Sequence, residues 1–566
     1  MIDAPAPPPD APTDDPWRGP ARHHDRRGRG RGRRALRTIW WLLLAGWAGL
    51  GTWHMFKPLP PGLHVAGDWQ PLPADEIRPL IDLTTADAYG QPIVQQQIFD
   101  ESLRLIADAR HFVVLDQFLF NNHQGLSGTD AGETLPMTPL RPLSQQLTEA
   151  LLAARRAHPA VRILFITDPI NDVYGGAPSS QLDLLEAAGV EIVRTDLDRL
   201  RDSNPVWSGL WRLAIDWWDG RAGGAGWLPH PFDAGAAPVG FRAWARLLNF
   251  KANHRKVLIA DDGSSPRSLV GIVSSANPHD ASSGHSNLAL EIRGEALRPL
   301  LESELEIARF SGWRGPALPL DPAAAASPAA PVAAAVHSAR DASAPVPSSM
   351  PAPVSVSAST PASPSTSTVR ARVLTEGAIQ DSLLEQLAAA RAGERIDIAM
   401  FYLSDRDLIE ALLAAARRGV ELRLLLDPNK DAFGRTKSGL PNRPVASELV
   451  SRSDGAIKVR WYRTHGEQFH PKLVMVRAGD RSWLTLGSAN LTRRNLGDYN
   501  LEANLAIEAA SSTALVQALD HWFETLWSNR APAGIEYTAD FGTFADPRQS
   551  SYWAYRIMEA TGLSTF

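Results

Sequence analysis

The strongest constraint on how this chain folds is that its pattern of elements occurs twice. In "QQQIFDESLRLIADARHFVVLDQFLF" (95–120) an amphipathic helical stretch runs into an apolar strand. In "AIQDSLLEQLAAARAGERIDIAMFYLS" (378–404) the same transition recurs. After the first copy come a helix near 142–157, the strand "VRILFITDPINDVYGG", a helix near 179–188 and the short strand "VEIVRTD". After the second come a helix near 405–418, the strand "VELRLLLDPNKDAFG", a less regular stretch and "IKVRWYRT". Agreement in order, length and wording predicts a duplicated α/β unit. Strands alternating with helices imply a mainly parallel or mixed sheet covered on both faces, with functional side chains at strand ends.

Chemistry is duplicated with the scaffold. "NHRKVLIADD" opens an apolar strand with His254 and Lys256, and "FHPKLVMVRAGD" opens another with His470 and Lys472. Alternate residues of a strand share a face, so each imidazole and its lysine meet the same surroundings. A small-residue turn and an asparagine follow each time, Asn277 in "GIVSSANP" and Asn490 in "LTLGSANLT". Each copy then carries an acid in a strand, Glu291 in "NLALEIRG" and Glu502 in "NLEANLAI". Four polar residue types in one order on matched elements predict a shared catalytic site. Glu291 and Glu502 are candidates to accept an N–H from the histidines, fixing tautomer and raising basicity.

The paired motifs resemble the phospholipase D superfamily, whose signature is H-x-K-x4-D followed by G-S-x-N, twice per active site. His254, Lys256 and Asp261 fit the first signature; Gly487, Ser488 and Asn490 fit the second. Two positions depart from it: Ser274 replaces a glycine, and Arg477 stands where the second aspartate belongs, the nearest acid being Asp480. The resemblance implies two α/β/α sandwich halves packed as a pseudo-dimer, with both histidines converging on one phosphodiester. It implies His254 as nucleophile, His470 as general acid, and a phosphohistidine intermediate. A phosphodiester anion repels nucleophiles and has a poor alkoxide leaving group, so clustered positive charge and a proton donor are needed. Lys256, Lys472, Asn277 and Asn490, helped by Ser275 and Ser488, would hold the non-bridging oxygens, while Asp261 is largely structural. The mechanism requires no cofactor and no metal, and no metal-ligand spacing occurs in the sequence.

The N-terminus bears on location. Residues 1–37 read as a disordered tail, with eight arginines against one aspartate between Arg22 and Arg37. "TIWWLLLAGWAGLGTWHMF" (38–56) carries no formal charge and as a helix would span about 28 Å, close to a bilayer's hydrocarbon thickness. This predicts a transmembrane anchor with a cytoplasmic N-terminus and an extracytoplasmic body, periplasmic in a bacterium. A cleaved secretory signal is the competing reading; the lack of an A-x-A-like cleavage site favours the anchor. Residues 70–315 form the first half, with a Trp-rich insertion at 197–250. Residues 316–369, rich in Ala, Pro and Ser, read as a disordered linker. Residues 370–530 form the second half and 531–566 a C-terminal extension. There are no cysteines, which excludes disulfides and thiolate chemistry.

The substrate is less constrained. The superfamily includes phospholipases, phosphatidyltransferases such as cardiolipin synthases, and nucleases. An anchor, and an insertion carrying Trp207, Trp211, Trp217, Trp218, Trp227 and Trp244, favour a glycerophospholipid headgroup with water or an alcohol as acceptor, at a membrane. Nine arginines and five aspartates lie in 1–37, so the body is more acidic than the whole chain's net charge of −5. That argues against nucleic acid, whose binding needs clustered Lys and Arg. An extracytoplasmic nuclease and an inactive lipid-binding protein are the alternatives.

Overall fold

The computed structural model describes residues 26–123, 140–217, 226–233, 235–318, 368–432, 435–530, 534–564 and 566. The expected linker lies almost wholly outside these, as do most of the expected N-terminal tail and Trp218.

The strands in chain order are β1 (Gln70–Pro73), β2 (Ile77–Ala86), β3 (Pro92–Gln95), β4 (Phe112–Gln117), β5 (Arg162–Thr167), β6 (Glu191–Arg194), β7 (Lys256–Asp261), β8 (Leu269–Ser274) and β9 (Asn287–Arg293). Then follow β10 (Thr368–Thr375), β11 (Arg395–Met400), β12 (Glu421–Leu426), β13 (Asp431–Ala432), β14 (Arg435–Thr436), β15 (Ile457–Tyr462), β16 (Lys472–Ala478), β17 (Arg481–Gly487), β18 (Ala503–Ala510) and β19 (Thr538–Asp540). One sheet has the order β3-β2-β9-β8-β7-β4-β5-β6 and the other β1-β10-β18-β17-β16-β11-β12-β15-β19. From β2-β9-β8-β7-β4-β5-β6 onto β10-β18-β17-β16-β11-β12-β15 the match is strand for strand. Both sheets are mixed: β4-β5-β6 and β11-β12-β15 run parallel, and β7 and β16 join them antiparallel. The duplication legible in the sequence is thus a duplication of topology. Its edges trespass, because β1 pairs with β10 and β19 from the C-terminal extension pairs with β15.

Strand alternation decides which residues hold the two halves together. Val257, Ile259, Val273 and Leu290 of the first sheet share one apolar cluster with Leu473, Met475, Leu486 and Leu505 of the second. Their neighbours Leu258, Ala260, Ile272 and Ala289 turn the other way, onto helices carrying Leu105, Leu147 and Leu151. Val474, Val476 and Ala506 likewise face helices carrying Leu383, Leu412 and Leu449. Burying a Val or Leu side chain is worth about 1.5–3 kcal/mol relative to exposure, so the shared cluster makes either half unfavourable alone.

The N-terminal segment differs from expectation. Helix α1 (Arg26–Phe56) begins inside the stretch read as a disordered tail. It covers the expected membrane span, yet no helix among the described residues is long and apolar enough to cross a membrane. The most apolar run, Ile39–Gly51, is short, and Thr52 and His54 dilute the turn after it. The far end of α1 is also committed to protein. Trp47 Nε1 donates to the Val206 carbonyl at 2.8 Å and Asp202 N to the His54 carbonyl at 2.9 Å. Gly51 and Gly209 allow α1 to lie close on the helix Pro205–Leu210; a Cβ on Gly51 would stand 2.6 Å from the Pro205 carbonyl oxygen. The topology expected from an N-inside anchor loses its basis with the span.

Candidate active site

Each H-x-K strand is placed by the other half. The segment before β7 bridges in parallel to the one before β18, Asn253 to Leu501, and the segment before β16 bridges to the one before β9, Phe469 to Ser286. His254 N donates to the Leu501 carbonyl and His470 N to the Ser286 carbonyl, both at 2.9 Å. Buried aspartates pin the same segments. Asp168 accepts Asn253 N at 2.7 Å and Asp427 accepts Phe469 N at 2.8 Å; burial pushes both carboxyls up to about 7.

His254, His470, Asn277 and Asn490 line one cavity of about 590 Å³. The Oδ1 atoms of Asn277 and Asn490 are buried without a hydrogen-bond partner, and it is the Nδ2 groups of these amides that could donate to an anionic oxygen. Lys256 Nζ donates to the His254 carbonyl at 2.7 Å and Lys472 Nζ to the His470 carbonyl at 2.8 Å. An aromatic ring backs each pair: Phe118 lies 4.8 Å from His254 and 5.1 Å from Lys256 Nζ, and Phe401 lies 4.8 Å from His470 and 5.3 Å from Lys472 Nζ. Neither ring is marked by any motif. Burial lowers Lys256 to about 7, against the pull of Glu502; burial and the charge of Lys256 hold Lys472 well below the usual lysine range.

The two histidines differ in what orients them. His254 Nδ1 lies 2.9 Å from Glu502 Oε1, so a carboxylate of the second half fixes the imidazole of the first. Ser488 and Asn495 also donate to Glu502. Burial alone would raise Glu502, but His254 and then Lys256 hold it below the usual carboxylate range. His470 Nδ1 lies 3.1 Å from Asn287 Oδ1, which also accepts from Ser275 Oγ at 2.9 Å. The Asn287 amide is oriented by its Nδ2 donating to the His285 carbonyl at 3.2 Å. Burial pushes His254 down to about 4, and burial with the Lys472 charge pushes His470 well below its ordinary value. Both imidazoles are therefore neutral at pH 7 before a ligand arrives.

Glu291, expected as the counterpart of Glu502, is elsewhere. It lies 2.5 Å from Arg78 and 3.1 Å from Arg293 and touches no histidine among the described residues. Register explains the difference: Ser274 pairs with Ala289 and Gly487 with Asn504, so Asn287, two residues back, matches Glu502, and Glu291 matches Ala506. The two strand acids therefore do not occupy matching positions. Ser275 and Ser488, expected on the phosphate, instead donate to Asn287 and Glu502. Asp261 stands apart from the cavity and accepts the backbone N–H groups of His111 and Phe112 at 2.8 Å and of Arg110 at 3.1 Å. Arg477, in the matching position, sits between Asp397 and Asp520.

The remaining wall is mostly apolar. Tyr174, Trp244, Leu247, Leu248 and Phe250 contribute from the first half, the last four from the Trp-rich insertion, and Phe401 and Tyr402 from the second. Within that insertion Trp211 is fully buried, whereas Trp217 and Trp227 are exposed.

Residues 383–527 match the family described as "Cardiolipin synthase, PLD-like domain". Cardiolipin synthase A of Cronobacter sakazakii is 33% identical over 135 residues, 24% of this chain and 25% of that protein. The chain thus spans about a quarter of the length of the curated relative it matches. Among solved structures, phosphatidylserine synthase of Haemophilus influenzae is similar at 9% identity over 90% of this chain and 98% of that one, with a TM-score of 0.48. The phospholipase D family member Nuc of Salmonella typhimurium is 18% identical over 30% of this chain and 97% of that one, with a TM-score of 0.23.

Proposed function

We propose, from the premise that this chain resembles the phospholipase D superfamily, that it cleaves or exchanges glycerophospholipid headgroups through a phosphohistidine intermediate. The observation that carries the reading is the joint placement of His254 and His470 on one largely apolar cavity. Apolar walls with a few convergent polar groups suit a ligand with one charged ester and long acyl chains.

In the first step the neutral His254 Nε2 attacks phosphorus, and the bond from phosphorus to the headgroup oxygen breaks. Glu502, at Nδ1, stabilises the positive charge that develops on the ring. The leaving oxygen takes its proton from His470. An arriving phosphodiester anion favours the protonated forms of His470, Lys256 and Lys472, so the substrate itself loads the acid and charges the lysines. In the second step water or an alcohol gives its proton to His470 and forms the new O–P bond as the N–P bond breaks. Lys256, Lys472, Asn277 and Asn490 stabilise the non-bridging oxygens throughout.

A lipid surface is the proposed setting. Trp40, Trp41, Leu42, Trp53 and Phe56 of α1 are each more than half exposed, and Arg33, Arg34 and Arg37 are exposed beside them. Exposed aromatic and aliphatic side chains next to arginines suit the headgroup boundary of an anionic bilayer without spanning it.

The test is to incubate the full chain with mixed phospholipid micelles, with and without an added alcohol, and in parallel with single-stranded and duplex DNA. Phosphatidic acid or the exchanged lipid should form and vanish in His254→Ala and His470→Ala. DNA cleavage with lipid untouched would replace this reading with the nuclease one.

A further inference from the structure

The cavity is asymmetric beyond its histidines. After β5 the first half turns from Asp168 to the helix Ser180–Ala187 and presents Ile170 and Tyr174 to the cavity. After β12 the second half turns from Asp427 to the helix Asn442–Arg452 by way of the β13–β14 hairpin and presents Lys437. Lys437 Nζ donates to the Tyr402 hydroxyl and lies 4.9 Å from the Tyr402 ring and 5.4 Å from the Phe401 ring. The other cations on the wall are occupied: Lys251 pairs with Asp202 at 2.6 Å, and Arg494 donates to the Gly562 and Ser564 carbonyls. No carboxylate lies at ion-pair distance from Lys437 among the described residues, although the buried Asp427 carboxyl feels its charge. A half-buried ammonium set on two aromatic faces, with N–H groups beyond the one given to Tyr402, is arranged to take an anion.

Its position says which part of a substrate that anion belongs to. Phe401 is shared: His470 packs on it at 4.8 Å, Lys472 Nζ lies 5.3 Å from its centroid, and Lys437 Nζ 5.4 Å. The corresponding ring beside His254, Phe118, has Lys256 but no second cation within such a distance among the described residues. Under the proposed transfer reading, on which this step rests, His470 serves the leaving oxygen first and the acceptor hydroxyl second. Whatever lies beside Lys437 is therefore headgroup or acceptor, and the diacylglyceryl part takes the apolar side of Tyr174 and the Trp-rich insertion. We infer that Lys437, fixed by Tyr402, selects headgroups and acceptor alcohols that carry a second oxyanion, phosphate or carboxylate, close to the reacting oxygen.

The experiment offers the full chain a phospholipid with glycerol, glycerol 3-phosphate or glycerate as acceptor at equal concentration and measures each transfer product. The anionic acceptors should exceed glycerol by about tenfold or more, the worth of one charge-assisted hydrogen bond. That ratio should collapse in Lys437→Met, persist in part in Lys437→Arg and shrink in Tyr402→Phe; the rank of glycerol 3-phosphate against glycerate tells phosphate from carboxylate. A merely structural lysine would lower all three products together. Equal use of the acceptors by the unaltered protein, or a ratio unmoved in Lys437→Met, overturns the inference. A second readout needs no turnover: calorimetric titration of His254→Ala with glycerol 3-phosphate, with and without Lys437→Met. Binding should weaken about tenfold in the double variant. Equal affinities overturn the subsite, whereas a clear difference with no lipid transfer under any condition retains the subsite and overturns the transfer reading.

Discussion

The two halves repeat one scaffold almost bond for bond and differ where chemistry would need them to. His254 and His470 receive the same backbone hydrogen bond across the interface, the same lysine at their own carbonyl and the same ring at their face. Against His254 stands the Glu502 carboxylate; against His470 stands the Asn287 amide. A carboxylate makes an imidazole a better nucleophile and a worse acid, and a neutral amide orients the ring without that effect. Under the proposed mechanism this difference suits His254 to the nucleophile's part and His470 to the proton donor's.

The largest effects should come from the histidines and should differ in kind. His254→Ala should abolish turnover of every ester. His470→Ala should lower kcat by about 10²–10⁴-fold on a natural headgroup and much less on a p-nitrophenyl phosphodiester, whose leaving group needs no proton. Equal sensitivity of the two variants to the leaving group would break the comparison. Next come the orienting residues. Glu502→Gln should cost on the order of 10²-fold in kcat or more, by losing the charge that supports His254. Asn287→Asp places a carboxylate beside His470, which raises the imidazolium pKa. The protonated acid then persists to higher pH, and the alkaline limb of the rate profile should move up by about one to three pH units. A downward move or none, measured on kcat against pH, would mean that His470 is not the acid.

The smallest effects belong to the third difference. Asp261 accepts four backbone N–H groups, so Asp261→Ala should cost about 2 kcal/mol or more in denaturant unfolding, with kcat nearly unchanged. Arg477→Ala should cost less, within about 1 kcal/mol, because Asp397 keeps Arg423 at 2.7 Å and Arg395 at 3.1 Å. A large kcat loss in either would return that residue to the site.

The repeated succession of elements and the paired His, Lys and Asn positions were legible in the sequence because local spacing specifies them and the duplication states them twice. Asn287 was not, since its role depends on which residue of β9 faces the other half, and an acid four residues on offered a false match. Phe118, Phe401 and Lys437 were not either: an apolar ring at a strand end and a lysine in a Gly-rich turn gain meaning only when the second half closes over the first. The expected membrane span rested on an absence of charge, whereas the structure sets part of that helix against Gly209 and Val206.

The most direct test of the division of labour is to trap the intermediate. Unaltered protein mixed with a phospholipid in the absence of alcohol, quenched within a turnover at neutral to alkaline pH and digested for mass spectrometry, should carry the phosphatidyl group on His254. The same group found on His470 would contradict the assignment drawn from Glu502 and Asn287, and turnover with no modified histidine would contradict the covalent path itself.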